Sequence, residues 1–206
     1  MVNLAINGIG RIGKLVLKLL ISKNFNVKYL NELNGNTNSL KHSIEFDSIH
    51  GKWQANIEEG KDEIKIDGKS IKATFVENID DLSLDDVDIM IDCTGVHKSS
   101  SKLQKYFDKG VKKVIVSAPI NEDNIVNIAY GVNHNIYKPK EHNIITGASC
   151  TTNCIAPIIK VLHDNIGIKH GSITTIHNLT NSQTLVDIPH NNLRRGRSAI
   201  NNLIPT

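Results

Sequence analysis

The chain has 206 residues, 39% hydrophobic and 22% charged, with a formal net charge of +3, enough for one sizeable core and part of a second. So small a charge, with no basic run interleaved with aromatics, argues against a primary nucleic-acid role, and no stretch approaches the roughly 18 unbroken apolar residues of a membrane span. Three cysteines are too few for a disulfide scaffold and no Cys/His spacing fits a zinc site, so a reduced cytoplasmic protein without a bound metal is expected.

The opening MVNLAINGIGRIGKLVLKLL is apolar with scattered Lys and Arg. Its charges fall inside the apolar run, three glycines interrupt it and no small-residue cleavage site follows, so it is not read as a signal peptide. Residues 2–7 (VNLAIN) read as a short strand, GIGRIG as a glycine turn, and the following residues as a helix whose Ile12, Leu15, Val16, Leu19 and Leu20 recur at helical spacing. NVKYLN (26–31) returns as a second strand and NSLKHSIEF (38–46) as a helix. KWQANIEE, DEIKID and KSIKATF then read as short strands in a meander, with turns at Glu59-Gly60 and Asp67-Gly68. Strand VDIMIDCT (87–94), a helix closed by Gly110, strand KKVIVSA (112–118) and strand NIITGA follow.

Strands alternating with helices predict an α/β fold: a Rossmann-type, doubly wound, mostly parallel sheet. Near residue 150 the pattern changes. A helix from Thr151 to about Asn165, a strand GSITTIHNL and a long polar loop predict an incomplete α+β second domain. The expected division is 1–149 for a nucleotide-binding domain and 150–206 for the start of a catalytic one.

Gly8, Gly10 and Gly13 match G-x-G-x-x-G between a strand and a helix, and Glu32 ends the next strand about 20 residues on. Gly8 permits the tight turn, Gly10 lets backbone approach a pyrophosphate, and Gly13 lets helix and sheet pack. Glu32 would accept hydrogen bonds from ribose hydroxyls and repel a 2′-phosphate, which favours NAD over NADP. The plain alternative is a strand-turn-helix with a solvated glutamate.

GASCTTNC, Gly147 to Cys154, places two cysteines four residues apart. Neither a disulfide nor a two-cysteine zinc clip suits this setting. Cys150 follows Ser149 at a helix start, where free N–H groups and the helix dipole stabilise a thiolate. Cys154, one turn on and followed by Ile155 and Ala156, reads as a small buried side chain. His177 in TTIH supplies a candidate base; alone it would read as structural, and its pairing with Cys150 makes it a candidate.

INGIGRIG, FDSIHGKW, CTGV, KKVIVSAP, YGVN, ASCTTNC, TTIH, TNSQTLVD and RRGRSAINNLIPT resemble, in order, segments of the phosphorylating glyceraldehyde-3-phosphate dehydrogenases, NAD-dependent glycolytic oxidoreductases. The resemblance runs from residue 2 to the last. It implies that Cys150 is the nucleophile that forms a thioester and that His177 is its base. It implies cofactor contacts from Arg11, Ile12, Glu32, Thr94, Gly95 and Ser117 beside the three glycines. It assigns Ser149 and Thr151 to the inorganic-phosphate side and Thr180 to the substrate-phosphate side; for each hydroxyl the plain reading is a cap or a turn. The implied partners are glyceraldehyde 3-phosphate and inorganic phosphate. The implied assembly is a homotetramer, in which residues 178–202 form a loop at a subunit interface and cover Arg194, Arg195 and Arg197, a cluster otherwise read as a solvated face.

Three features depart from the family pattern. Glu32 stands for the more frequent Asp, Asn181 and Ser182 for Ala-Thr, and VDIPHNNLRRGRS differs from the common Trp-containing form. NEL, DCTGV and LRR lean towards the related erythrose-4-phosphate dehydrogenases, whereas SAP and the spacing of Thr180 to Gln183 lean back. The family would continue past NNLIPT, so we expect a fragment that binds NAD weakly and turns nothing over alone. The non-enzymatic alternative is a NAD-binding or scaffold module.

Overall fold

Apolar residues after Met1 form strand β1 (Asn3–Asn7) at the centre of a sheet, in a computed structural model that describes residues 1–205. Its side chains alternate between two cores. Leu4 and Ile6 pack with Leu17, Val27 and Leu30, while Ala5 packs with Met90, Leu103 and Val114. A strand apolar on both faces is what a parallel sheet covered on both sides requires.

Helix α1 (Arg11–Ser22) carries the chain to β2 (Asn26–Asn31), parallel to β1. Its buried face overlaps the expected stripe only in part: Val16 and Leu20 pack against the core and Gly13 and Leu17 are buried, whereas Ile12 and Leu19 are exposed. The cause is a close approach, since a Cβ on Gly13 would lie 1.9 Å from the Gly8 carbonyl oxygen. That contact turns the Gly13–Leu17 face of the helix onto the sheet.

Helix α2 (Thr37–Glu45) begins at Asn36, whose Oδ1 accepts the Ser39 N–H while Ser39 Oγ accepts the Asn36 N–H. It leads into a small antiparallel ribbon, β3 (Phe46–Asp47) and β4 (Gly51–Lys52). The meander follows as β5 (Ile57–Glu59), β6 (Glu63–Ile66) and β7 (Lys69–Thr74), with β7 then lying parallel to β2. Strand β8 (Ile89–Asp92), helix α3 (Ser100–Asp108), β9 (Lys113–Val116), β10 (Val126–Asn127) and β11 (Ile144–Thr146) complete the sheet. The two-residue β10 and the 3₁₀ turns at Ile79–Asp81 and His134–Ile136 carry no periodic signal and were not expected.

The sheet order is β10-β11-β9-β8-β1-β2-β7-β6-β5. The chain moves outward from β1 on one side through β2 and then on the other through β8, so the doubly wound architecture holds. The switch between β1 and β8 opens a crevice at the carboxyl ends of the strands, where ligands of such folds bind.

Helix α4 (Cys150–Asn165) follows β11 and belongs to the first of two compact units, Met1–Ile166; the second begins at Gly167. Two expectations fail in this region. Cys154 is exposed, because α4 buries none of its residues; Ile158, Ile159, Val161 and Leu162 are exposed as well. Residues 171–179 form no strand. Their β-branched residues favour extended backbone, but a strand exists only in a ladder, and none of the described residues pairs with them. The second unit is instead shaped by loop closures. Ser198 is buried, its Oγ donating to the Leu185 carbonyl and its N–H to Asp187 Oδ1, and Arg197 pairs with Asp187. Arg194 and Arg195 are exposed.

Candidate functional site

Gly8 sits just past β1 at φ +87°, and a Cβ there would meet the Thr94 nitrogen at 2.8 Å. Gly8 and Gly13 are therefore required by the protein's own backbone. Gly10 is not: nothing lies within 4 Å of where its Cβ would be. The open space faces the start of α1, which has no capping side chain and no acid in its first turn. A bare positive helix end beside a glycine with free space above it fits a phosphate group. Arg11 and Ile12 are exposed there, and Arg11 reaches Asp47 Oδ1 at 3.5 Å. The Asp47 carboxylate is inaccessible; it is bound by Lys14 at 2.6 Å and accepts the N–H groups of Ile49 and His50. Lys14 first, then those N–H groups, hold it far below the usual carboxylate range.

Glu32 follows β2 and folds back on the glycine turn, Oε2 accepting the Ile9 N–H at 2.7 Å and Oε1 the Leu33 N–H at 2.9 Å. Thr94 and Gly95 form the turn after β8. Thr94 donates to Asp92 Oδ1 from both its N–H (3.0 Å) and its hydroxyl (2.7 Å), and Gly95 has φ +74°. Ser117 follows β9, donating its N–H to the Asp92 carbonyl, and its hydroxyl acts on the Cys93 thiol. Burial pushes that thiol up to about 11, against the smaller opposing effect of the Ser117 hydroxyl. The cofactor residues expected from sequence thus converge at the carboxyl ends of four neighbouring strands, β9, β8, β1 and β2. Sequence reasoning missed the buried polar residues just beneath them, Asn7, Asn31, Asp92 and Tyr106. The available signal was that each of three apolar strands ends on Asn or Asp.

After β11 the chain turns through Ala148, at φ +56°, and presents Ser149 as the N-cap of α4. Ser149 Oγ accepts the Thr152 N–H at 3.0 Å and lies 3.0 Å from Thr151 Oγ1 and 2.7 Å from Thr152 Oγ1. The capping role of Ser149 is therefore present, and several hydroxyls gather at one helix end. Cys150 is the first helical residue and is exposed, where the helix dipole stabilises negative charge. His177 and Thr180 are exposed residues of the second unit. His177 Nδ1 lies 2.6 Å from the Asn178 carbonyl, and the Thr180 N–H donates to Gln183 Oε1. Cys150 lies in the first unit. Among the described residues no cluster of His, Cys, Asp and Glu could hold a metal ion, and no helix is long and apolar enough to cross a membrane.

Comparison with known proteins identifies the family. The family model for the NAD binding domain of glyceraldehyde 3-phosphate dehydrogenase matches residues 2–100, and that for its C-terminal domain matches residues 149–206. NAD is accordingly the cofactor for which the first domain is built. Glyceraldehyde-3-phosphate dehydrogenase 3 of Nostoc sp. is 43% identical over all of this chain and 61% of its own length. Glyceraldehyde-3-phosphate dehydrogenase of Thermotoga maritima is 41% identical, and glyceraldehyde-3-phosphate dehydrogenase 1 of Bacillus subtilis 40%, each over the whole chain and 62% of its own length. The chain thus spans about three-fifths of the length of these relatives. With both family models matched in order, and identity sustained from end to end, the chain belongs to the glyceraldehyde-3-phosphate dehydrogenase family.

Proposed function

We propose that these residues form the NAD-binding domain, 1–149, and the start of the catalytic domain, 150–206, of a cytoplasmic, homotetrameric enzyme. That enzyme oxidises glyceraldehyde 3-phosphate with phosphate uptake. The observation that carries the reading is the placement of the Cys150 thiol. It is exposed at the first residue of α4, beside Ser149 and Thr151, in a chain whose strand ends assemble a dinucleotide crevice.

On the turn that Gly8 permits and the helix packing that Gly13 permits, Gly10 and the N–H groups of Arg11 and Ile12 would hold the pyrophosphate. Glu32 would take the adenosine ribose, and Thr94, Gly95 and Ser117 would line the crevice beyond. Bound NAD supplies the hydride acceptor. Cys150 thiolate attacks the aldehyde carbon, giving a hemithioacetal whose oxygen takes up a proton. His177 accepts that proton as the hydride leaves, and a thioester of Cys150 results. Inorganic phosphate then attacks the thioester carbonyl, releasing the acyl phosphate and the thiolate. Ser149 and Thr151 belong to the inorganic-phosphate side and Thr180 to the substrate-phosphate side. The Cys150 N–H and His177 stabilise oxyanion charge. Covalent capture retains the free energy of the oxidation until phosphate arrives.

The test is NADH formation by the whole protein from glyceraldehyde 3-phosphate, with and without phosphate. Cys150→Ser is expected to abolish it and to leave NAD binding in place. Unchanged turnover by that variant, or a preference for erythrose 4-phosphate without phosphate dependence, would overturn the reading.

A further inference from the structure

A chain of buried hydrogen bonds crosses the sheet one or two residues beneath the cofactor segments. Asn31 Oδ1 accepts the Val76 N–H at 3.0 Å and the Thr74 hydroxyl at 2.9 Å, which fixes its amide so that Nδ2 donates to Asn7 Oδ1 at 2.8 Å. Asn7 Nδ2 in turn donates to Tyr106 Oη at 2.7 Å, and the Tyr106 hydroxyl donates to Asp92 Oδ2 at 2.8 Å. His97 Nδ1 meets the same Oδ2 at 2.7 Å, while both Thr94 donors occupy Oδ1. The bonds run in one direction and end on a carboxylate, which only accepts; His97 therefore carries its proton on Nδ1. Asn7, Asn31 and Asp92 are 3%, 6% and 0% exposed, and Tyr106 is fully buried. Burial first, and Asp92 next, raise the Tyr106 phenol far above its ordinary range, so it stays a neutral donor.

Each polar strand end lies one or two residues before a segment assigned to the cofactor. Asn7 precedes Gly8, Asn31 precedes Glu32, and Asp92 precedes Cys93 and Thr94. The turn through Thr94 to His97 is fastened to the sheet through Asp92, and Asp92 is fastened to β1 and β2 through Tyr106 of α3. Ordinary packing needs none of this, since apolar side chains at the same positions would bury as well without unsatisfied donors. We infer that Tyr106, Asp92 and His97 are positioning residues, which hold the 93–97 turn at the height and angle from which Thr94 and Gly95 meet the dinucleotide. The inference rests on the cofactor assignment of Thr94 and Gly95 proposed above.

The test titrates NAD into the 206-residue chain and, in parallel, measures urea stability. Tyr106→Phe removes only the hydroxyl, and His97→Leu replaces the imidazole and its donor with an apolar side chain. His97→Asn keeps an N–H near the place of Nδ1. The first two are expected to weaken NAD binding about five- to tenfold, in protein that is still more than nine-tenths folded, and His97→Asn to restore it to within about twofold. NAD affinity unchanged in Tyr106→Phe and His97→Leu, or equally weakened in His97→Asn and His97→Leu, would overturn the inference and leave the cofactor reading standing. No NAD binding by the unsubstituted chain would overturn both.

Discussion

Glu32 closes onto the glycine turn: its Oε2 accepts the backbone N–H of Ile9 at 2.7 Å, so the acid that follows β2 also shapes the loop that follows β1. One carboxylate thereby holds the turn and keeps negative charge at the place proposed for the ribose. A 2′-phosphate would bring further negative charge to the same place, which is the physical ground for NAD over NADP. Glu32→Gln keeps an acceptor for Ile9 and loses the charge; Glu32→Ala loses both. We expect Glu32→Ala to weaken NAD binding about tenfold, the loss of hydrogen bonds to a charged group, and both variants to narrow the gap between NAD and NADP. Paired titrations with the two nucleotides check this. A ratio that neither variant changes would exclude Glu32 as the discriminating residue.

The three glycines are predicted to fail in different ways. Gly13→Ala places a methyl 1.9 Å from the Gly8 oxygen, against backbone that cannot swing aside. It should cost about 3 kcal/mol or prevent folding. Gly10 has an ordinary φ of −74° and open space above it, so Gly10→Ala should fold with stability near that of the parent and lose NAD binding. Circular dichroism melts beside a NAD titration separate the two. Tight binding by Gly10→Ala would show that the open space is not where the pyrophosphate approaches.

These glycines also show how much of the molecule is legible without coordinates. Strand, turn, helix and acid follow one another closely in sequence, so local pattern suffices to place Gly8, Gly10, Gly13 and Glu32. The buried line from Asn31 to His97 is different. Asn7 and Tyr106 are 99 residues apart and Asn31 and Asn7 are 24 apart, so nothing local marks them as partners. Cys154 was misread because small residues near apolar ones suggest burial, whereas burial depends on a second packed layer. The stretch 171–179 failed for a related reason, since propensity is local and a ladder is not.

Acid should expose the carboxylates that the fold uses. Asp47, held by Lys14 and two N–H groups, and Asp88, held by the Asn3 N–H and then by Lys112, both lie below their ordinary value of 3.8. A depressed folded value means the unfolded chain takes up the proton first. Their stabilisation is complete above about pH 5 and is lost as pH falls through and below 3.8. Lys112 has the opposite sense: Asp88 raises it above 10.5, so its contribution fades as pH climbs past that value. Urea unfolding at stepped pH should give a plateau near neutrality. Asp47→Asn should lower the plateau and flatten the acid limb; an acid limb of unchanged slope would show that Asp47 does not contribute to it.

The thiols give the most direct reading of the site, because three cysteines sit in three electrostatic settings. Cys93 lies beneath the glycine turn with its thiol pushed up to about 11, so at pH 8 only about one molecule in a thousand carries its thiolate. Cys150 and Cys154 are both exposed on α4. Access is therefore similar, and what distinguishes them is position along the helix. Cys150 is its first residue, where the dipole acts most strongly, and Cys154 is one turn on, where that field has largely decayed. Timed alkylation with peptide mapping should find Cys150 modified first, by about tenfold over Cys154, and Cys93 only after denaturant is added. Equal rates at Cys150 and Cys154 would mean that the helix end confers no activation, and the nucleophile would then need its activation from His177 alone. Faster labelling of Cys93 in the native chain would instead mean that the glycine turn opens, and that the close approach of Gly8 to Gly13 is not kept in solution.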